Sequence, residues 1–326
     1  MSDRTTGHNV PMPVTPQEAE KYRNFVSQIV AEAGIANFDP NMTLWHYTNG
    51  NGFLGMLESG SIRATQVAAV NDSTETVYAT RLYRQAIIKL KQQNTADEFA
   101  QGFLQGILDE TEESADLPGH SDSKFFIACL SELEDDINQW LKYGGEHGEN
   151  GYAIGFLARG LFLVDSNSAM IRVNYDNALH QRLADETAQM TLRFYMEGLV
   201  GDRADDPEKW GKDFFAAWDQ AIYRLAPTIK DEGFSAEREY RLVHELQSYD
   251  LPFVRYQQKA SLLGRYIDLK TGGWEGLRVP RLPIQKVMVG PGRHKGITKK
   301  SVASLLDQMG YQNVEVSMSR RALQRP

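Results

Sequence analysis

Two groups of residues combine types and spacings suited to chemistry. His46-Tyr47 lies in the apolar-aromatic run Leu44 to Thr48, and Glu237-Arg238-Glu239 sets two carboxylates two positions apart. On an extended backbone alternate residues share a face, so Glu237 and Glu239 are expected to point the same way at the start of a strand. Neighbouring carboxylates repel, which raises the pKa of one and costs stability unless something neutralises or uses the pair. Such a pair can stabilise a developing cation, and a carboxylate or imidazole can move a proton. Plainer readings stand beside these. A lone histidine on a buried strand is more often a satisfied structural residue than a ligand. The two glutamates can also be surface groups paired with Arg238 or Arg241.

Other clusters are weaker. Asn71-Asp72 with Glu75 reads as a helix N-terminus whose acidic groups complement the macrodipole. Gly144, Gly145, Gly148 and Gly151 make a glycine-rich loop, but no Gly-Lys-Ser/Thr follows and no strand–GxGxxG–helix unit exists. The seven histidines are scattered without HExxH spacing, so no metal site is expected. Cys129 is the single cysteine, which excludes an intrachain disulfide and a cysteine cluster and points to a reducing compartment.

The net charge of −8 argues against an extended nucleic-acid surface. Positive charge gathers late, at Arg293, His294, Lys295, Lys299 and Lys300 and again at Arg320, Arg321 and Arg325. With 41% apolar and 24% charged residues, 326 positions are ample for a buried core. No secretory signal or membrane-length apolar run is visible, so a cytoplasmic protein without membrane contact is expected.

The elements that must position these groups follow from periodicity. Residues 1–40 read as a polar lead and a helix starting near Thr15. Residues 41–326 read as one α+β domain with a helical insertion at about 178–232. Strands are expected at Thr43–Tyr47, Ser61–Thr65, Phe125–Ser131, Tyr152–Phe156, Met170–Tyr175, Tyr240–Glu245, Arg265–Leu269, Ile284–Val289 and Val314–Met318. Helices are expected after Asn49, from Ser73 to Gln93, around Ile137–Tyr143 and from Thr298 to Met309. The acidic stretch Asp109–Asp116 reads as an exposed loop. The insertion, rich in aromatic residues such as Phe194, Tyr195 and Trp218, is expected to cover one sheet face.

Leu44-Trp-His-Tyr-Thr-Asn49 leading to Gly55-Met-Leu-Glu-Ser-Gly60 resembles the start of the bacterial domain-of-unknown-function family 2971. In order come Asn71-Asp72 with Glu75, Cys129-Leu-Ser-Glu132, Trp140 with Tyr143, Gly151-Tyr-Ala-Ile-Gly-Phe156, Glu237-Arg-Glu-Tyr-Arg241 and Ser319 with Arg325. That resemblance implies no activity. His46-Tyr-Thr48 followed by a helix ending Met56-Leu-Glu-Ser-Gly60 also resembles, more distantly, the opening of ADP-ribosyltransferase-like domains, which implies a small split sheet and NAD as substrate. It further implies catalytic roles for His46, Glu239 and Glu237. His46 would donate to a ribose hydroxyl, Glu239 would stabilise the ribosyl cation, and Glu237 would position or deprotonate the acceptor. The implied cofactor-binding set is His46, Tyr47, Thr48, Asn71, Ser131, Tyr143, Tyr152 and Arg241, with Tyr47 standing where the family has glycine. The acceptor would be a protein or nucleic acid, in a toxin–antitoxin or phage-defence setting. The alternative is a non-catalytic nucleotide sensor or partner-binding module.

Overall fold

A computed structural model of the chain describes residues 24–25, 28, 39–67, 74–115, 124–145, 150–161, 168–200, 226–246, 248–259, 262–270 and 282–322. The lead and first helix expected before residue 40, and Asn71-Asp72, lie largely or wholly outside these residues. In chain order, β1 (Thr43–Thr48) is followed by α1 (Gly50–Ser59) and β2 (Ser61–Gln66). Helices α2 (Thr74–Gln93) and α3 (Glu98–Ala115) precede β3 (Phe125–Ser131), α4 (Ile137–Tyr143) and β4 (Tyr152–Leu157). Then come the short α5 (Ala158–Leu161), β5 (Ser168–Arg172), α6 (Asn177–Val200), β6 (Glu239–Glu245), β7 (Arg255–Lys259) and β8 (Leu262–Lys270). β9 (Ile284–Val289), α7 (Lys295–Gln308) and β10 (Glu315–Met318) complete the set. The class is α+β; among the described residues ten strands form one open sheet whose pairings are antiparallel except β9 with β10.

The sheet branches at β3. Along one edge β3 pairs with β6 over its full length, from Phe125↔Glu245 to Ser131↔Glu239. The opposite edge is shared. β1 meets it only at Trp45↔Ser131, and β2 only at Thr65↔Ile127 and Gln66↔Phe126. From that division one arm runs β1-β4-β9-β10 and the other β2-β8-β7, while β6 carries β5. The apolar run FFIACLS suits this central place, because both its faces are covered. Phe126, Ala128 and Leu130 enter the large core with Leu44, Phe53 and Leu242, whereas Phe125 and Ile127 pack with Ile171 and Val243 on the other face.

Local chemistry sets the element ends. The Asn49 side chain accepts from the Gly52 backbone at 2.9 Å and starts α1, and Gly60 at φ 63° stops it in the left-handed region that glycine adopts without penalty. A buried Ser168–His244–Asp250 chain, 3.1 Å at each link, ties β5, β6 and the 3₁₀ turn Ser248–Phe253 together. His244 is wholly buried there.

Three expectations need correction. The stretch expected as an acidic loop is the end of α3, because Phe103, Leu104, Ile107 and Leu108 form a continuous buried stripe that holds the helix through Ala115. Strand β7, RYQQK, was not expected, being a polar edge strand with no alternation of apolar residues. The helical insertion expected at about 178–232 is not helical at its end: 201–225 lie outside the described residues, and from Ala226 the chain forms a 3₁₀ turn and a bridge from Ile229 to Asn174. Helix α6 packs with α2 and α3 in a separate helical core, where Phe103 and Tyr195 stack at 3.7 Å. The described parts of these helices bury one another, while Trp218 of the expected sheet cover lies outside the described residues.

Candidate functional site

The division of the sheet leaves space where β1 turns away from β3, and side chains fill it. A cavity of about 60 Å³ is lined by Trp45, His46, Tyr47, Cys129, Leu130, Gln139, Tyr143, Glu237 and Glu239. His46 Nδ1 lies 2.9 Å from the Cys129 carbonyl, so the imidazole satisfies a β3 backbone group at a level where β1 pairs only through Trp45. A carbonyl can only accept, which places the proton on Nδ1. Burial lowers the His46 pKa below its ordinary value, and the bond to Cys129 offsets only part of that. The neutral ring then has Nε2 as a lone-pair acceptor.

The glutamates converge by a different route from the one expected. Glu237 ends the 3₁₀ turn Glu232–Glu237, Arg238 is left-handed at φ 44°, and only Glu239 begins β6. Strand parity therefore does not align them. A buried lysine does: Lys230 Nζ lies 2.7 Å from Glu237 Oε2 and 3.1 Å from Glu239 Oε2. Lys142, on α4, pairs with the other Glu237 oxygen. Arg241 holds Glu239 through Nε at 2.8 Å and Nη2 at 3.0 Å, and donates through Nη1 to the Pro227 carbonyl at 2.9 Å.

The electrostatic outcome is the reverse of mutual repulsion. Burial by itself would raise the Glu239 pKa. The charge and hydrogen bonds of Arg241, then Lys230, then the Cys129 thiol, hold it at about 2. Glu239 is thus an ionised carboxylate in a dry setting, with two cations on it and its backbone N–H donating to Tyr175 Oη at 3.1 Å. Burial and the surrounding negative groups push the Tyr143 hydroxyl above its ordinary value, so it stays a neutral donor at the cavity wall.

The other sequence candidates divide. Tyr47 lines the cavity with its ring, while its hydroxyl donates to the Leu133 carbonyl at 2.6 Å and accepts from the Asp136 backbone at 3.2 Å. Ser131 is buried and not among the lining residues; its hydroxyl donates to the Glu237 carbonyl at 2.7 Å and so fixes that glutamate's backbone. Arg241 likewise acts from behind, wholly buried against Glu239. Thr48 and Tyr152 are not in the cavity wall either: Thr48 Oγ1 sits against Gly52, and the Tyr152 ring stacks on Phe53 at 4.5 Å. Asn71 lies outside the described residues. Among the described residues no three His, Cys, Asp or Glu side chains gather as metal ligands.

Sequence reasoning missed Lys142, Lys230, Gln139 and Cys129. The one available signal was Lys230 itself, a cation directly after the apolar Ala226-Pro-Thr-Ile229 and seven positions before Glu237.

Among the described residues no helix is long and apolar enough to cross a membrane. No curated protein and no solved structure matches the chain. Residues 139–242, which carry Gln139, Lys142, Tyr143, Lys230 and both glutamates of the cavity, match the family model described as "Protein of unknown function (DUF2971)".

Proposed function

We propose that this chain is an NAD-dependent, ADP-ribosyltransferase-like effector acting on a protein or nucleic acid in toxin–antitoxin or phage-defence biology. The observation that carries the reading is convergence: His46 on β1 and Glu239 on β6 line one cavity, at the point where the two arms of the sheet separate. A split sheet with a histidine on its first strand and a glutamate on a late strand is the arrangement the distant resemblance implies.

Breaking the nicotinamide–ribose bond sends the bonding electrons to nicotinamide and leaves positive charge on the ribose. An ionised carboxylate held rigidly in low dielectric stabilises that charge without reorganising, and Glu239 has those properties. His46 accepts a hydrogen bond from a ribose hydroxyl at Nε2, in place of the donation first expected. Glu237, tied to the half-exposed Lys142, orients the acceptor and takes its proton as the new bond forms. At about 60 Å³ the cavity takes only the reacting end of the substrate, since pockets that enclose a whole ligand run to roughly 300–1,000 Å³. The rest of the dinucleotide extends outside it.

A second reading, a nucleotide sensor that binds without turnover, is favoured by one observation. Both Glu239 oxygens are already engaged by Arg241 and Lys230, which offsets the charge a ribosyl cation would use.

The experiment is to incubate the protein with labelled NAD, alone and with protein, DNA or RNA, and to measure nicotinamide release and bound NAD. The enzyme reading expects release in the native chain and a loss of roughly two orders of magnitude or more, about 3 kcal/mol, in Glu239→Gln with NAD binding retained. Binding without release under every condition, abolished by His46→Ala, replaces the enzyme with the sensor. No binding at all removes both.

A further inference from the structure

Helix α4 supplies Gln139, Lys142 and Tyr143 to the cavity and its rim, yet it has only seven residues. A helix so short has little stability of its own, so its position must come from tertiary contacts. Those contacts lead away from the cavity to the far end of the chain. Trp140, wholly buried on α4, sets its ring against the edge of Tyr47 at 4.7 Å and donates its indole N–H to Asp135 Oδ1 at 2.7 Å. The same carboxylate accepts from the Ser319 hydroxyl at 2.6 Å and from the Arg320 backbone at 2.9 Å, while Arg321 Nε donates to the Asp135 carbonyl at 2.9 Å. Ser319 is itself fixed. Its N–H donates to Val289 at the end of β9, and its carbonyl accepts from Lys295 Nζ at 3.0 Å.

From this junction we infer that the segment Ser319–Arg321 is a clasp that sets the cavity wall, and that Asp135 is a positioning residue through which it acts. The inference rests on reading the cavity as a nucleotide site. The clasp joins β9 and β10, at the outer end of one sheet arm, to the loop that leaves β3. It thereby fixes the distance between the arm and the branch strand beside which His46 lies. Gly290, just past β9, belongs to the same junction: a Cβ there would come within 2.8 Å of the Trp140 ring. Burial opposes ionisation of Asp135, but the bonds from Ser319, Trp140 and Arg320 and the charge of Arg321 outweigh it, so the acceptor stays charged. One carboxylate thus gathers donors from α4 and from the chain's last described segment. Losing either the hydroxyl or the charge should loosen α4 while leaving the helical core of α2, α3 and α6 untouched.

The test uses full-length Ser319→Ala and Asp135→Asn. Hydrogen exchange followed by mass spectrometry reads residues 131–143 and the helical core separately, and NAD binding is titrated on the same samples. The expected result is at least tenfold faster exchange confined to 131–143, with the helical core at native protection and affinity for NAD at least tenfold weaker. Native exchange of 131–143 in both variants overturns the inference. So does loosening spread equally over 131–143 and the helical core, because the effect is then on global stability. So does loosening of 131–143 that leaves NAD affinity unchanged. If native protein binds no NAD, the nucleotide reading fails, while confined loosening of 131–143 still establishes the clasp as the element that positions α4.

Discussion

Replacing Lys230 with methionine separates the electrostatic role of the buried lysine from its bulk. Methionine keeps most of the volume of the side chain and removes the charge that touches both glutamates. Breaking a buried ion pair by deleting one partner costs about 3–5 kcal/mol, because the other charge stays buried and uncompensated. The lower end applies here, about 3 kcal/mol, since Arg241 still holds Glu239 and Lys142 still reaches Glu237. The effect must also depend on pH. Glu239 titrates at about 2 in the fold against 4.5 for a free glutamate, a gap worth about 3 kcal/mol of stability. Because its folded pKa is depressed, that contribution is complete above about pH 4.5 and is lost as pH falls toward 2. Without Lys230 the folded pKa of Glu239 rises, so the variant has less to lose on acidification. Urea denaturation of both proteins at about pH 7 and about pH 3 measures this, and the stability gap should shrink at the lower pH. A gap that stays constant with pH, or is below about 1 kcal/mol at pH 7, would refute the electrostatic account and leave only packing.

Other outcomes follow from the same geometry. Arg241→Ala strands Glu239 and the Pro227 carbonyl, so the melting temperature should fall by about 10 °C; an unchanged value contradicts the buried pairing. The pH profile of NAD binding should hold its plateau below pH 6.5 before an acidic loss as His46 takes a second proton, and His46→Gln should lack that limb. A limb centred above 6.5 would contradict the lowered pKa that burial imposes, and binding that strengthens on acidification would show that the charged imidazole is the binding form. Gly290→Ala should cost about 1–3 kcal/mol in denaturant unfolding, because its Cβ meets the Trp140 ring at 2.8 Å and the Gly151 carbonyl at 3.0 Å.

The sequence was most readable where one residue pattern admits one outcome. The apolar runs at Phe125–Ser131 and Ile284–Val289 are strands with those bounds, and Asn49 and Gly60 delimit α1 as capping chemistry requires. Legibility failed where tertiary contacts decide. The acidic end of α3 is helical because of the face it buries, and β7 is a strand because β8 lies beside it. Of the candidate residues, His46, Tyr47, Tyr143, Glu237 and Glu239 line one cavity, while Ser131 and Arg241 support it from behind. The lysines were hidden for a physical reason. Lys142 lies 95 residues from Glu237, and no local periodicity encodes a pairing created by the branch of the sheet. The extended-strand argument brought the two glutamates together for the wrong reason, since the turn at Arg238 and the buried Lys230 do so in fact.

The branch at β3 also sets an order in time. Its inner edge waits for β6, more than a hundred residues downstream, while its outer edge pairs with β1 and β2, already synthesised. A chain emerging from the ribosome can close α2 on α3 early, because that contact is local, but β3 stays a half-paired apolar strand until residue 245 is free. Pairing that distant in sequence is slow, and the exposed edge is prone to association in the interval. Lys230, both carboxylates and Arg241 arrive together with β6 in that step. A chain interrupted before residue 237 therefore lacks the carboxylates of the cavity, and formation of the cavity is coupled to the pairing of β6 with β3.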